Sequence, residues 1–121
     1  MTDPDIAYLN HILDAIAHVE DFSSGISSAD ELRDHPLQRA GIERMLTVIG
    51  EAAKNVSPAT KKRYPDVPWK ATAGMRDKLI HHYFGVDYEA VWKTVTSDLP
   101  MLKEQVRSVT AEITAKKKPK K

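Results

Sequence analysis

Apolar residues recur at three- and four-residue intervals along nearly the whole chain, which is the signature of helices with one buried face. Ile6, Leu9, Leu13 and Ile16 form a first stripe, widened by Ile12, Val19 and Phe22, and Ser23-Ser24-Gly25 ends it. Asp3-Pro4 opens that segment with an N-cap followed by proline at the first helical position. Ser28-Ala29-Asp30-Glu31 has capping-box spacing and starts a short second piece, which Pro36 interrupts. A third helix is predicted from Pro36 to Val56, carrying Leu37, Ala40, Met45, Val48, Ile49, Ala52 and Ala53. Its Gly41 and Gly50 weaken an exposed helix by up to about 1 kcal/mol each; they are either tolerated surface glycines or, the favoured reading, sites of close helix–helix approach.

After Ser57-Pro58 and the connection Tyr64-Pro65-Asp66-Val67-Pro68, the pattern predicts a helix from Trp69 to His82 that ends near Gly85. Asp87 caps the next, with Tyr88, Val91, Trp92 and Val95 inward. A last helix starts around Asp98-Leu99-Pro100 and runs through Leu102, Val106, Val109 and Ile113. No segment alternates long enough to form a strand. The fold class is all-α, a bundle of four or five helices, with one helical domain over residues 1–115.

Composition narrows the function. At 121 residues with 41% hydrophobic and 29% charged, the chain suits one domain with a closed core. Eighteen basic against 17 acidic residues leave a formal charge of +1, so no global field points to a polyanion or a membrane. The absence of cysteine excludes disulfides, thiol nucleophiles and thiolate metal sites. The acidic start MTDPDIAYLNHILDAIAHVE argues against a signal peptide and a spanning segment, so a cytoplasmic location and no membrane partner are expected. Residues 116–121, with five lysines and no apolar residue, are expected to be a disordered tail.

The predicted Trp69–His82 helix carries the chemistry. Read at 100° per residue, Arg76 falls in the middle of the apolar face with Trp69, Ile80 and Tyr83 around it. Charged residues are rare there unless paired. Asp77 and His81 are four apart, so the carboxylate can hold the imidazole in one tautomer and raise its basicity. His82 shares the opposite flank with Lys78. A permanent cation that grips phosphate beside a group titrating near neutrality can cut a phosphodiester. The same residues also suit a structural clamp on a neighbouring carboxylate, or a histidine pair that favours a helix terminus. His11, His18 and His35 are scattered and read as surface residues. His81 and His82 diverge by about 100° and cannot easily share an ion, so no metal or other cofactor is expected.

At these residues the chain resembles the HepT-like toxins, a branch of the all-α HEPN superfamily. Met75-Arg76-Asp77-Lys78-Leu79-Ile80-His81-His82-Tyr83 matches that family's pattern of Arg, four residues, His, any residue, Tyr. Ile49-Gly50-Glu51-Ala52-Ala53-Lys54, Tyr64-Pro65-Asp66-Val67-Pro68-Trp69 and Tyr88-Glu89-Ala90-Val91-Trp92 are similar to family segments in the same order, as is Tyr8-Leu9-Asn10-His11-Ile12-Leu13. The resemblance covers roughly residues 3 to 113. It implies a HEPN-like helical fold and a homodimer that brings two Arg–His motifs into one cleft. It also implies a metal-independent endoribonuclease, acting on RNA as the toxin of a type VII toxin–antitoxin pair. The implied partner is an MNT-type minimal nucleotidyltransferase, which silences the toxin by transferring AMP to the tyrosine at position 83. The catalytic residues so implied are Arg76 and His81, with Asp77 and His82 in support. The alternative is a non-catalytic nucleotide- or RNA-binding subunit of that nucleotidyltransferase.

Overall fold

The structure, a computed structural model, describes residues 3–75, 77 and 87–117, with the backbone alone at 116 and 117. All its regular elements are helical: α1 (Pro4–Ser23), α2 (Ala29–Arg33), α3 (Pro36–Asn55), α4 (Pro58–Arg63), α5 (Trp69–Ala73), α6 (Tyr88–Lys93) and α7 (Leu99–Lys117). The expected all-α class holds among the described residues. None of these helices is long and apolar enough to cross a membrane.

The starts follow the cap signals. Asp3 accepts from the Asp5 N–H at 2.9 Å with Pro4 in the first turn. Ser28 accepts from Glu31 N–H at 3.1 Å, while the Glu31 carboxylate reaches back one residue further than a standard capping box, to Ser27 N–H at 3.3 Å. Pro36 begins α3 rather than kinking α2, because the first turn of a helix needs no N–H there. Ser57 caps α4 through Thr60 N–H, and Asp87 caps α6 through Ala90 N–H at 3.0 Å.

The helices α1 and α3 are the frame. They run antiparallel: the start of α1 meets the second residue after α3, where Asp5 accepts from Ser57 N–H at 2.9 Å, and Phe22 near the end of α1 lies over Gly41 near the start of α3. Leu9, Ile12, Ile16, Ile42, Leu46 and Ile49 interlock between them with essentially no exposure. Helix α7 closes the core with Leu99, Leu102, Val106, Val109 and Ile113, and Lys103 bonds Glu20 of α1 at 2.9 Å.

Both α3 glycines mark close approaches. A Cβ at Gly41 would stand 2.8 Å from the Phe22 ring, and one at Gly50 would stand 3.1 Å from the Ala73 carbonyl. The second contact seats α5 against α3.

Two predicted boundaries differ. The helix expected from Trp69 to His82 is not continuous: α5 ends at Ala73, Gly74 forms a turn, and Asp77 N–H bonds the Gly74 carbonyl three residues back. Glycine's poor helix propensity permits that tightening. Conversely, no break separates α6 from α7. Thr94–Asp98 is a single π-helical turn in which Leu99 N–H reaches the Thr94 carbonyl. Pro100 would meet the Thr96 carbonyl in an α-helix, and the widened turn just before it relieves that conflict.

Candidate active site

Of the residues assigned from sequence, Arg76, His81, His82 and Tyr83 lie outside the described residues, as do Gly85 and Lys118–Lys121. The turn at Gly74 means that the angular positions of Trp69 and Thr72 relative to Arg76 do not follow from one uninterrupted helix. Asp77 is described and is solvent-exposed.

The anchors on either side of the motif are well defined. Upstream, Trp69 is buried and its indole N–H donates to the Tyr64 carbonyl at 2.9 Å. Thr72, 1% exposed, donates its hydroxyl to the Pro68 carbonyl at 2.7 Å. Met75, the residue before Arg76, is buried in the core. A five-residue helix is not stable alone, so these bonds and the Gly50 contact hold it in place.

Downstream, Tyr88 is held by two arginines. The Arg39 guanidinium donates to the Tyr88 hydroxyl and lies 5.5 Å from its ring centroid, while Arg33 of α2 lies 5.2 Å from the same ring. Glu43 pairs with Arg39 at 3.8 Å. This cluster fixes the first turn of α6, and Val91 locks the turn into the core. The sequence pattern does not single out Arg39 or Glu43, because their partner Tyr88 is 49 residues from Arg39. Only the high aromatic content of the Tyr88–Trp92 segment hinted at a packing role.

The remaining ionisable groups belong to the frame. The Asp5 carboxylate is buried, which pushes its pKa up. Hydrogen bonds from the Ser57 and Thr60 hydroxyls and the Ser57 N–H, with the Lys61 charge, outweigh this and hold it below the usual carboxylate value. Burial and the neighbouring Glu112 carboxylate push the Tyr64 phenol up, against the opposing charge of Arg63. His11, His18 and His35 are exposed, as expected: His11 contacts Tyr8 edge-on, His18 stacks on Phe22, and His35 bonds the Glu31 carbonyl at 2.7 Å. Among the described residues no three His, Asp or Glu side chains converge as a metal site would require.

A short all-α domain with anchored segments on both sides of an Arg-x4-His-x-Tyr sequence defines the class: a HEPN-like helical protein. Comparison with known proteins specifies it further. The family described as ribonuclease HepT-like matches residues 12–109, which include the whole motif. A protein named probable ribonuclease HepT from Thermococcus cleftensis is 49% identical over 96 residues, covering 79% of this chain and 86% of its own. A protein named as a candidate RNase from Caldanaerobacter subterraneus subsp. tengcongensis is 44% identical over 102 residues, covering 84% and 90%. A further candidate RNase, from Methanocaldococcus jannaschii, is 40% identical over 107 residues, covering 88% of both chains. No solved structure matches. The chain belongs to the HepT-like ribonuclease family.

Proposed function

We propose that the protein is a metal-independent endoribonuclease whose site is built from Arg76 and His81 of two protomers facing one cleft. The observation that carries this reading is the Arg76-x4-His81-x-Tyr83 sequence inside the segment that matches the ribonuclease family. The substrate supplies the nucleophile. The ribose 2′-oxygen attacks the adjacent phosphorus and the bond from phosphorus to the 5′-oxygen breaks. The products are a 2′,3′-cyclic phosphate and a 5′-hydroxyl. Arg76 stabilises the charge that gathers on the phosphoryl oxygens. His81 takes the 2′-proton or delivers one to the leaving 5′-oxygen, with Asp77 biasing its tautomer and His82 beside it.

Within this reading the protein is a cytoplasmic toxin paired with an MNT-type nucleotidyltransferase antitoxin. The Tyr83 phenol, losing its proton, attacks the α-phosphorus of ATP held by the partner and pyrophosphate leaves; the AMP so attached carries a phosphate that competes with RNA for Arg76. The test is cleavage of RNA in excess chelator. His81→Ala and Arg76→Ala each lower the rate at least about 100-fold without loss of folding. Full activity in both variants overturns the mechanism. Tyr83→Phe keeps cleavage but gains no AMP-sized mass increment when incubated with the partner and ATP. An increment on Tyr83→Phe moves the acceptor elsewhere.

A further inference from the structure

The formal charge of +1 hides an uneven distribution. Residues 1–51 hold three basic against ten acidic side chains, whereas residues 52–86 hold seven basic against two acidic. Asymmetry of this kind concerns what a chain associates with rather than how it folds. Within the basic stretch, residues 52–65 carry Lys54, Lys61, Lys62 and Arg63 and no Asp or Glu.

The fold gathers these four cations at one corner. Lys54 lies in the last turn of α3, and Lys61, Lys62 and Arg63 lie in the last turn of α4. Lys61 is engaged within the fold. Its ammonium donates to the Lys54 carbonyl at 3.3 Å, which lays the end of α4 against the end of α3, and its charge acts on the buried Asp5 carboxylate. Lys54, Lys62 and Arg63 are exposed and form no ion pair among the described residues. The Arg63 guanidinium lies 5.8 Å from the Tyr64 ring centroid, a contact that steadies it while its exposed N–H groups can still take a phosphate in a fork. Glu112 of α7 stands beside the Tyr64 phenol, and Glu51 and Asp66 flank the corner along the chain.

Cations in a helix's last turn complement its dipole, yet the fold does not depend on them: α1, as long as α3, has none in its last turn. Three in one turn of a six-residue helix repel one another, and no ion pair among the described residues offsets that repulsion. An external polyanion does.

We propose that this corner is an RNA-docking surface. Lys54, Lys62 and Arg63 bind phosphates of the substrate strand away from the bond that is cut, and the acidic residues of α1, α2 and the rest of α3 repel the same backbone. The protein therefore meets RNA in one orientation. The occupant is RNA because the chain belongs to a ribonuclease family, whose substrate carries a charge at every nucleotide. The inference rests on the ribonuclease reading for that choice and uses no position inside the motif.

The test is binding of a 2′-O-methyl RNA of about 20 nucleotides to the full-length protein, followed by fluorescence anisotropy between about 50 and 200 mM salt. This RNA lacks the attacking hydroxyl and stays intact. Each single-strand phosphate contact adds about 0.7 to the slope of log K against log salt. The triple variant Lys54→Gln, Lys62→Gln, Arg63→Gln therefore flattens the slope by about 2 and binds at least about tenfold more weakly at the lowest salt. It melts no lower than wild type, because like-charge repulsion is relieved. A matched variant, Lys93→Gln, Lys103→Gln, Arg107→Gln, loses the same charge on α6 and α7 and keeps the wild-type slope.

Equal flattening in both variants means that only net charge matters and overturns the corner as a site. An unchanged slope with a lower melting temperature assigns the cations to the helix ends and overturns it too. An unchanged slope in a variant that no longer holds a nucleotidyltransferase partner makes the corner a protein interface, which equally overturns RNA docking. Cleavage separates this inference from the ribonuclease reading. In a protein that cuts RNA, the first variant raises KM at least about tenfold with kcat within about twofold, as a contact made equally before and during the reaction requires. A flattened slope in a protein that cuts no RNA sinks the ribonuclease reading and leaves the docking surface standing.

Discussion

The α1–α3 pair and the segment around α5 and α6 are stabilised in different ways. The first joins two 20-residue helices through a continuous interlock of Leu9, Ile12, Ile16, Ile42, Leu46 and Ile49. The second consists of helices of five and six residues, each held by a few named contacts to distant elements. Trp69 bonds Tyr64, Ala73 rests on Gly50, and Tyr88 is gripped by Arg39 and Arg33. Helices that short do not form on their own. The frame therefore sets stability, while the motif depends on tertiary contacts that the frame provides. Substitutions should divide along that line.

The largest effect on stability is expected inside the frame. Leu46→Ala leaves a cavity at a fully enclosed position and should cost about 2–5 kcal/mol in denaturant unfolding. RNA cleavage per folded molecule should stay close to wild type; a selective loss of activity would break the division.

Gly50→Val tests the joint between the two regions. Its side chain runs into the Ala73 carbonyl and should cost about 1–3 kcal/mol, with cleavage falling further than the folded fraction because α5 is displaced. Gly50→Ala meets that carbonyl at 3.1 Å but gains helix propensity, so its stability should lie within about 1 kcal/mol of wild type.

Asp5 sharpens the comparison through pH. Its folded pKa lies below the unfolded value, which is about 3.9. Its contribution is therefore present above pH 4 and is lost as pH falls through the lower folded value. Asp5→Asn should cost about 1–3 kcal/mol at pH 6 and progressively less below pH 4, as read by urea unfolding at both values. An equal cost at pH 6 and pH 2.5 would show that the carboxylate charge plays no part.

The smallest effect is expected at Asp77. Because it is exposed, Asp77→Asn should change stability by less than about 0.5 kcal/mol. If it raises the basicity of His81, the substitution should move the corresponding limb of the pH–rate profile to lower pH. An unmoved profile removes Asp77 from the mechanism.

Much of the fold was legible because local signals were strong and agreed with one another. Asp3, Ser28, Ser57 and Asp87 cap the helices that their positions suggested, and the apolar stripes of α1, α3 and α7 became the core. Gly74 was missed because the apolar pattern continues across it, and a periodicity carries no information about a single turn that tightens. The α6–α7 boundary was misread for a related reason. Pro100 normally marks a helix end, and only the actual backbone shows whether a π turn lets the chain pass through it.

The helical class, most helix starts and the family, through the Arg76–Tyr83 motif, could be read from the chain alone. All of these depend on residues near one another in the chain, where spacing alone encodes the interaction. Only the tertiary structure decided that Arg33 and Arg39 hold Tyr88, that Asp5 secures Ser57 and Thr60, and that Met75 meets Met101 and Gln105 around one cleft. Those partners are separated by 26 to 55 residues. Their pairing is set by how packed helices come to lie side by side, which no pattern of neighbouring residues specifies.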